Sequence, residues 1–101
     1  MDNEKIISET TEKWNDRKEL LMRLFQNRDK EAIMDPMNEA IYDFLTLLFF
    51  VNGEERTPDK KRLQEDIMGL ENRPINLDER LSFILKKPNQ YHSFVQLNEL
   101  Y

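Results

Sequence analysis

The side chains that could act as a nucleophile or a base are few, and they follow no recognisable catalytic pattern. The chain has one histidine, His92, and no cysteine. Its serines, Ser8, Ser82 and Ser93, all lack the Gly-x-Ser-x-Gly turn that exposes the nucleophile of many hydrolases. A histidine-activated serine is therefore not indicated. An acid–base pair between His92 and a carboxylate on a distant helix stays open as an alternative.

Metal and cofactor sites are not indicated either. A di-iron site in a helical bundle needs Glu-x-x-His on two helices, whereas Asn89 stands three residues before the single His92. Two glycines, sixteen residues apart, are too few for a phosphate-binding loop. Adjacent carboxylates diverge by about 100° on a helix and do not share a site; such pairs are Glu54-Glu55, Glu65-Asp66 and Asp78-Glu79. We expect no enzyme, no cofactor and no metal.

The stretch from Pro88 to Asn98 is unusual because none of its residues carries a formal charge, although 35% of the chain is charged. As a helix, the segment from Tyr91 to Tyr101 has apolar side chains over about 220° of its circumference, whereas a surface helix buries a stripe of roughly 100° or somewhat more. Neutral and aromatic side chains are enriched at protein interfaces. We expect a surface for a protein partner, or for a second copy of the chain, made of Phe83, Tyr91, His92, Phe94, Gln96 and Tyr101.

The alternative is that the last helix is enclosed in the bundle and that its polar residues, His92 and Gln96, make only local hydrogen bonds. Phe83 is included in the predicted surface because it falls outside the apolar stripe of the preceding helix. Single exposed apolar residues are common, so Phe83 alone indicates nothing.

The elements that must position these residues are predicted to be helices. Leucine, glutamate and lysine are abundant, valine is rare, and the glycines and prolines fall where helices can start or stop. We expect an all-α fold, a compact bundle of about five helices in a single domain over residues 1–101. The second helix, which should end near Val51, is expected to be the central one, because its run from Phe44 to Val51 is apolar around the whole circumference.

Capping signals predict the bounds of the first two helices. The first should run from about Glu4 to Arg28, with Trp14 as a core anchor and a short helical turn after it. Asp35 as the N-cap and Pro36 at the first helical position predict the start of the second helix. Asn52-Gly53 supplies the left-handed residue that ends it.

Similar signals predict the last three helices. Thr57-Pro58 predicts the start of the third helix, which should fail near Gly69. Asn76 and Glu79 form a capping-box pattern for the fourth helix, and Pro88 ends it. The fifth helix should cover residues 89–100.

Charge makes nucleic acid an improbable partner. Fifteen Lys and Arg against twenty Asp and Glu give a net charge of −5, which repels phosphate backbones. The densest basic cluster, Lys60-Lys61-Arg62, is followed at once by Glu65-Asp66 and is typical of a solvated helix face. It defines the alternative function: a nucleic-acid-associated regulatory protein in which Lys60, Lys61, Arg62 and Arg73 contact phosphates.

A cytoplasmic location without membrane contact is expected. The segment Met1-Asp2-Asn3-Glu4-Lys5 lacks the apolar core of a signal peptide. Apolar runs fall well short of the roughly 20 residues that cross a bilayer. The longest, Phe44 to Val51, is flanked by acidic residues and is therefore expected in the core.

The last third of the chain carries a recognisable pattern. It reads Pro74-x-Asn76-x-x-Glu79-Arg80-Leu81-x-Phe83-Ile84, followed by Pro88-x-x-Tyr91-x-x-Phe94-x-Gln96-Leu97-x-Glu99-Leu100. This pattern resembles the YpoC-like family of small uncharacterised bacterial proteins, and Trp14 and the Met37…Phe44-Leu45…Asn52 stretch are compatible with it. The resemblance implies a helical domain of Gram-positive bacterial type, and it supplies no activity and no catalytic residue. We expect a non-catalytic protein-interaction module.

Overall fold

The computed structural model describes residues 3–54, 58 and 61–101, and in these ranges the regular secondary structure is helical, without strands. Five helices follow one another: α1 (Asn3–Gln26), α2 (Lys30–Val51), α3 (Leu63–Met68), α4 (Leu77–Lys86) and α5 (Tyr91–Leu100). They confirm the predicted all-α fold. Among the helices of the described ranges, none is long and apolar enough to cross a lipid bilayer.

The first two helices form a long antiparallel hairpin that contains most of the core. The connection is only three residues long, from Asn27 to Asp29, so the two helices lie side by side. Arg17 of α1 pairs with Asp43 of α2 at 2.8 Å. The buried residues of α2 are Ile33, Met37, Ala40, Ile41, Phe44, Leu45, Leu48 and Phe49. This confirms α2 as the main core helix, although it is not enclosed on every side, since Thr46 and Val51 face solvent.

The start of α2 differs from the prediction. The helix begins well before Pro36, and Asp29 caps it in place of Asp35, because the Asp29 carboxylate accepts a main-chain N–H of the first turn at 3.2 Å. Pro36 lies inside the helix, where proline removes one main-chain hydrogen bond. Ile33 and Met37, both buried, lie four residues apart on one face and span the proline. Burial of this face keeps the helix continuous.

The starts of α3 and α4 also differ from the capping predictions. Lys61-Arg62 forms a turn, so α3 begins later than expected, and Thr57 lies outside the described residues. The predicted end of α3 at Gly69 is confirmed. Asn76 precedes α4 as predicted, but its φ of 58° is left-handed and its side chain makes no capping hydrogen bond. The capping-box prediction was therefore wrong, since asparagine here serves as a residue that tolerates the left-handed conformation.

Both long helices end in the same hydrogen-bond motif. The residue after the cap is left-handed: Arg28 with φ 56° at the end of α1, and Gly53 with φ 75° at the end of α2. In each case its N–H bonds the carbonyl three residues back, and the next N–H bonds the carbonyl five residues back, at 3.0 to 3.2 Å. This is the Schellman motif, whose left-handed position is usually glycine.

Candidate functional site

A continuous series of aromatic rings runs from the start of α5 into the core. Each ring touches the next with centroids between 4.5 and 5.9 Å apart. The rings, from the surface inward, are Tyr91, Phe25 and Phe94, Trp14, Tyr101 and Phe44. Packing of this kind holds every ring in one orientation, so the outermost ring is presented by a rigid support.

The inner end of this series fixes the end of the chain to the helical hairpin. The Tyr101 ring stacks on Trp14, with centroids 4.5 Å apart and planes 1° from parallel. The Tyr101 hydroxyl donates to the Ala40 carbonyl at 2.6 Å. Burial raises the pKa of the Tyr101 phenol above its usual range; nearby Asp43 raises it further and Arg17 opposes the increase.

Two of the residues predicted for a partner surface therefore lie inside the protein. Phe94 is only 4% exposed, because Trp14 and Phe25 of α1 pack against it. Tyr101 is half-buried between α1 and α2. The part of the predicted surface that a partner could reach is correspondingly smaller.

The other four predicted residues lie at or near the surface. The Tyr91 side chain is 59% exposed at the first position of α5. The His92 ring meets the edge of Phe83 at 5.1 Å and lies 3.2 Å from the Gln96 amide nitrogen. The structure thus brings Phe83, His92 and Gln96 into one connected group beside Tyr91.

Tyr91 stands between two hollows that together form what we call the α1–α5 groove. The first, of about 240 Å³, is lined by Met22, Phe25, Gln26 and Tyr91. The second, of about 340 Å³, shares Phe25 and Tyr91 with the first and includes Arg28, Lys30, Ile33 and His92 in its lining. The sequence analysis missed the α1 and α2 residues of this groove, since only the folded hairpin brings them beside α5.

The α1–α5 groove is positively charged on a protein of net charge −5. Arg28 and Lys30 line it, and the described residues of its lining include no carboxylate. Asp29, between the two cations in sequence, is engaged as the cap of α2. His92 therefore shares the groove with cations rather than with the carboxylate that an acid–base pair would need.

Two of the serines considered for chemistry have structural contacts, Ser82 with the Gln64 amide at 2.9 Å and Ser93 with the main chain. Ser93 is fully buried, and its hydroxyl donates to the Lys87 carbonyl at 2.6 Å, which closes the turn between α4 and α5. Among the described residues, no group of three or more His, Asp and Glu side chains is placed to hold a metal ion.

The basic residues of the nucleic-acid alternative lie at two ends of α3. Lys60 is outside the described residues, while Lys61 and Arg62 are exposed in the turn before the helix. Arg73 instead contacts the other end, where its guanidinium donates to the carbonyls of Ile67 and Met68 at 2.9 and 2.6 Å. Its charge stabilises the end of α3.

Comparison with known proteins agrees with the C-terminal pattern. The profile of the YpoC-like protein family matches residues 4–101. The chain is 37% identical to the uncharacterized protein YpoC of Bacillus subtilis (strain 168) over 100 residues. The aligned region covers 98% of this chain and 60% of the relative. The chain thus spans less than two thirds of that relative's length. No solved structure matches it. The chain belongs to the YpoC-like family, as the pattern in its last third predicted.

Proposed function

We propose that this chain is a non-catalytic protein-interaction module that binds a different protein at the exposed start of α5. The observation that carries the proposal is the position of Tyr91, which leaves 59% of its side chain exposed beside an apolar groove. Tyrosine is enriched among the residues that dominate binding energy at interfaces. The proposed setting is the cytoplasm, a reducing compartment that suits a chain without cysteine.

The rigidity of Tyr91 supports this proposal. Its ring meets Phe25 edge-on at 5.6 Å and Phe94 at 5.8 Å, and these contacts restrict its orientation before a partner binds. Ordering a free side chain on binding costs about 0.5–1.5 kcal/mol, and a fixed ring avoids most of that cost. The neighbouring side chains, Asn89-Gln90 and His92, are neutral and can donate or accept hydrogen bonds at the rim.

The size of the α1–α5 groove also fits a protein partner. Of its two hollows, the one of about 240 Å³ is smaller than the usual ligand pocket of roughly 300–1,000 Å³, and the one of about 340 Å³ is at the lower end of that range. Met22, Phe25 and Ile33 give apolar walls. Such a groove accommodates one or two inserted side chains of a partner more readily than a large cofactor.

Site-specific cross-linking in the native cell tests this function. A photo-reactive phenylalanine analogue in place of Tyr91 keeps an aromatic ring in the groove, and the same analogue at Ile75 is the matched control. Ile75 is 80% exposed in the link before α4 and does not line the groove. We expect one defined adduct with another protein from position 91, and none of that mass from position 75.

A charged variant completes the experiment. Tyr91→Glu should abolish the interaction while lowering the unfolding free energy by about 1–2 kcal/mol, because it removes the ring contacts with Phe25 and Phe94. Three results would contradict the proposal: an adduct of the chain with itself, identical adducts from both positions, or an interaction that survives Tyr91→Glu.

A further inference from the structure

We infer that the segment bound in the α1–α5 groove has an apolar side chain flanked by carboxylates. This inference rests on the proposed function and adds the chemistry of the partner to it. It combines two features of one site: apolar walls beside Tyr91 in both hollows, and two cations, Arg28 and Lys30, in the lining of the second.

The charge of the groove differs in sign from that of the whole molecule. The chain has a net charge of −5, yet both charged residues in the lining of the groove are cations. The two acids next to these cations in sequence, Asp29 and Glu31, are not part of the lining, and Asp29 caps the start of α2. A segment with carboxylates is therefore attracted to the groove and repelled by most of the remaining surface, which directs it to this site.

The backbone at Arg28 gives a second, independent reason. Arg28 and Gly53 occupy equivalent left-handed positions in the same hydrogen-bond motif at the ends of α1 and α2. A left-handed main chain is unfavourable for arginine and not for glycine, so stability alone favours glycine at both positions. At the position where the side chain lines the groove, the residue is arginine. Strain of this kind is retained where the side chain has a function.

An acidic peptide fits these observations better than a nucleic acid does. The guanidinium of arginine matches the two oxygens of a carboxylate. Phosphates would satisfy the same cations, but a nucleic-acid strand carries a charge on every nucleotide, whereas a peptide can place a few carboxylates beside an apolar side chain. The apolar walls formed by Met22, Phe25 and Ile33 suit a buried aliphatic or aromatic side chain.

Selection from a library of short random peptides displayed on phage tests the inference. Peptides retained by the full chain should be enriched in Asp and Glu around a central Phe, Leu or Trp, and Tyr91→Glu should retain none of them. Selection against Arg28→Gly combined with Lys30→Gln should keep the central apolar residue and lose the acidic enrichment. Neutral or basic peptides, or unchanged acidic enrichment with the double variant, would overturn the inference.

Calorimetric titration of the best peptide measures each cation separately. Arg28→Gly and Lys30→Gln should each weaken binding about threefold, and added salt should weaken it further. Arg62→Gln is the control, because this exposed cation precedes α3 and does not line the groove. Equal losses with Arg62→Gln, or tighter binding of a short mixed-sequence single-stranded DNA than of the peptide, would contradict an acidic peptide as the partner.

The outcomes separate this inference from the function on which it rests. Peptides that depend on Tyr91 but show no acidic enrichment would support an interaction surface and refute its proposed chemistry. The inference and the proposed function would both be refuted if the wild-type chain retained no peptide better than Tyr91→Glu does and position 91 gave no cross-linked adduct.

Discussion

Arg28 and Gly53 allow a comparison of two side chains in one local structure. Both residues are left-handed and both complete a Schellman motif at a helix end. For arginine this conformation costs about 1–2 kcal/mol, whereas glycine adopts it freely. Glycine also increases the conformational entropy of the unfolded chain, which stabilises the unfolded state. Replacing Arg28 by glycine therefore recovers only part of the conformational cost.

Arg28→Gly should therefore be at least as stable as the wild type, with an unfolding free energy higher by about 0.5 kcal/mol. Arg28→Ala is the control, since it removes the same charge and keeps the strained main chain. We expect the unfolding free energy of Arg28→Gly to be about 1 kcal/mol higher than that of Arg28→Ala, as measured by urea unfolding followed by circular dichroism. An alanine variant that is the more stable of the two would show that the left-handed main chain carries no strain.

Sequence reasoning identified part of the candidate site at the level of single residues. The absence of charge from Pro88 to Asn98 singled out Tyr91, His92 and Gln96, which lie at or near the surface. The sequence pattern could not separate these residues from Phe94 and Tyr101. A helical projection shows which side of a helix is apolar, but not how many neighbouring helices cover that side. Arg28 and Lys30 gave no signal, since their place beside α5 depends on tertiary packing.

The start of α2 shows how two equivalent capping signals compete within one element. Asp35-Pro36 has the right residue types for a helix start, but so does Asp29, which lies one residue before the helix. The longer helix prevails because it buries Ile33 on the same face as Met37. Burying such a side chain contributes about 1.5–3 kcal/mol, comparable with the roughly 3 kcal/mol that an internal proline costs.

Alanine substitutions at the two aspartates test which of them caps α2. Asp29→Ala should lower the unfolding free energy by about 1 kcal/mol, because it removes the hydrogen bond to the first turn. Asp35→Ala is the matched control and should change it by no more than about 0.5 kcal/mol, since Asp35 is exposed within the helix. Urea unfolding of both variants gives the comparison, and a larger loss at Asp35 would place the helix start at Pro36.

The architecture of the whole molecule was predictable from its composition and from the positions of its glycines and prolines, which indicated helices and their approximate number. The role of α2 followed from the run from Phe44 to Val51, which is apolar around the whole helix. What did not follow was the packing of α5. Its contacts join Trp14 to Asn98 and Tyr101 to Ala40, pairs that are 84 and 61 residues apart in sequence. Local patterns contain no information about such distant pairs.

Tyr101 connects the stability of the whole fold to alkaline pH. Because burial raises the pKa of its phenol, the folded protein holds this proton more tightly than the unfolded chain does. The resulting stabilisation is complete below pH of about 10, the usual pKa of tyrosine, and is lost as the pH rises further. In that range we expect the unfolding free energy of the wild type to fall by up to about 1.4 kcal/mol per pH unit.

Tyr101→Phe should lack this part of the pH dependence. At neutral pH this substitution should lower the unfolding free energy by about 1 kcal/mol, because the hydrogen bond to the Ala40 carbonyl is lost. Tyr42→Phe is the matched control, since the Tyr42 side chain is 49% exposed, and it should keep the wild-type slope. Urea unfolding between about pH 8 and 11 gives the slopes. Equal slopes for the wild type and Tyr101→Phe would show that another group is responsible.

The single tryptophan of the chain has a useful position. Trp14 is buried where α1, α2 and the end of the chain meet, it is stacked on Tyr101, and only Phe94 separates it from Tyr91. We expect its fluorescence to change when the last helix leaves the hairpin, because that removes the Tyr101 and Phe94 rings from Trp14. The protein contains its own optical probe, two rings away from the surface where we expect a partner to bind.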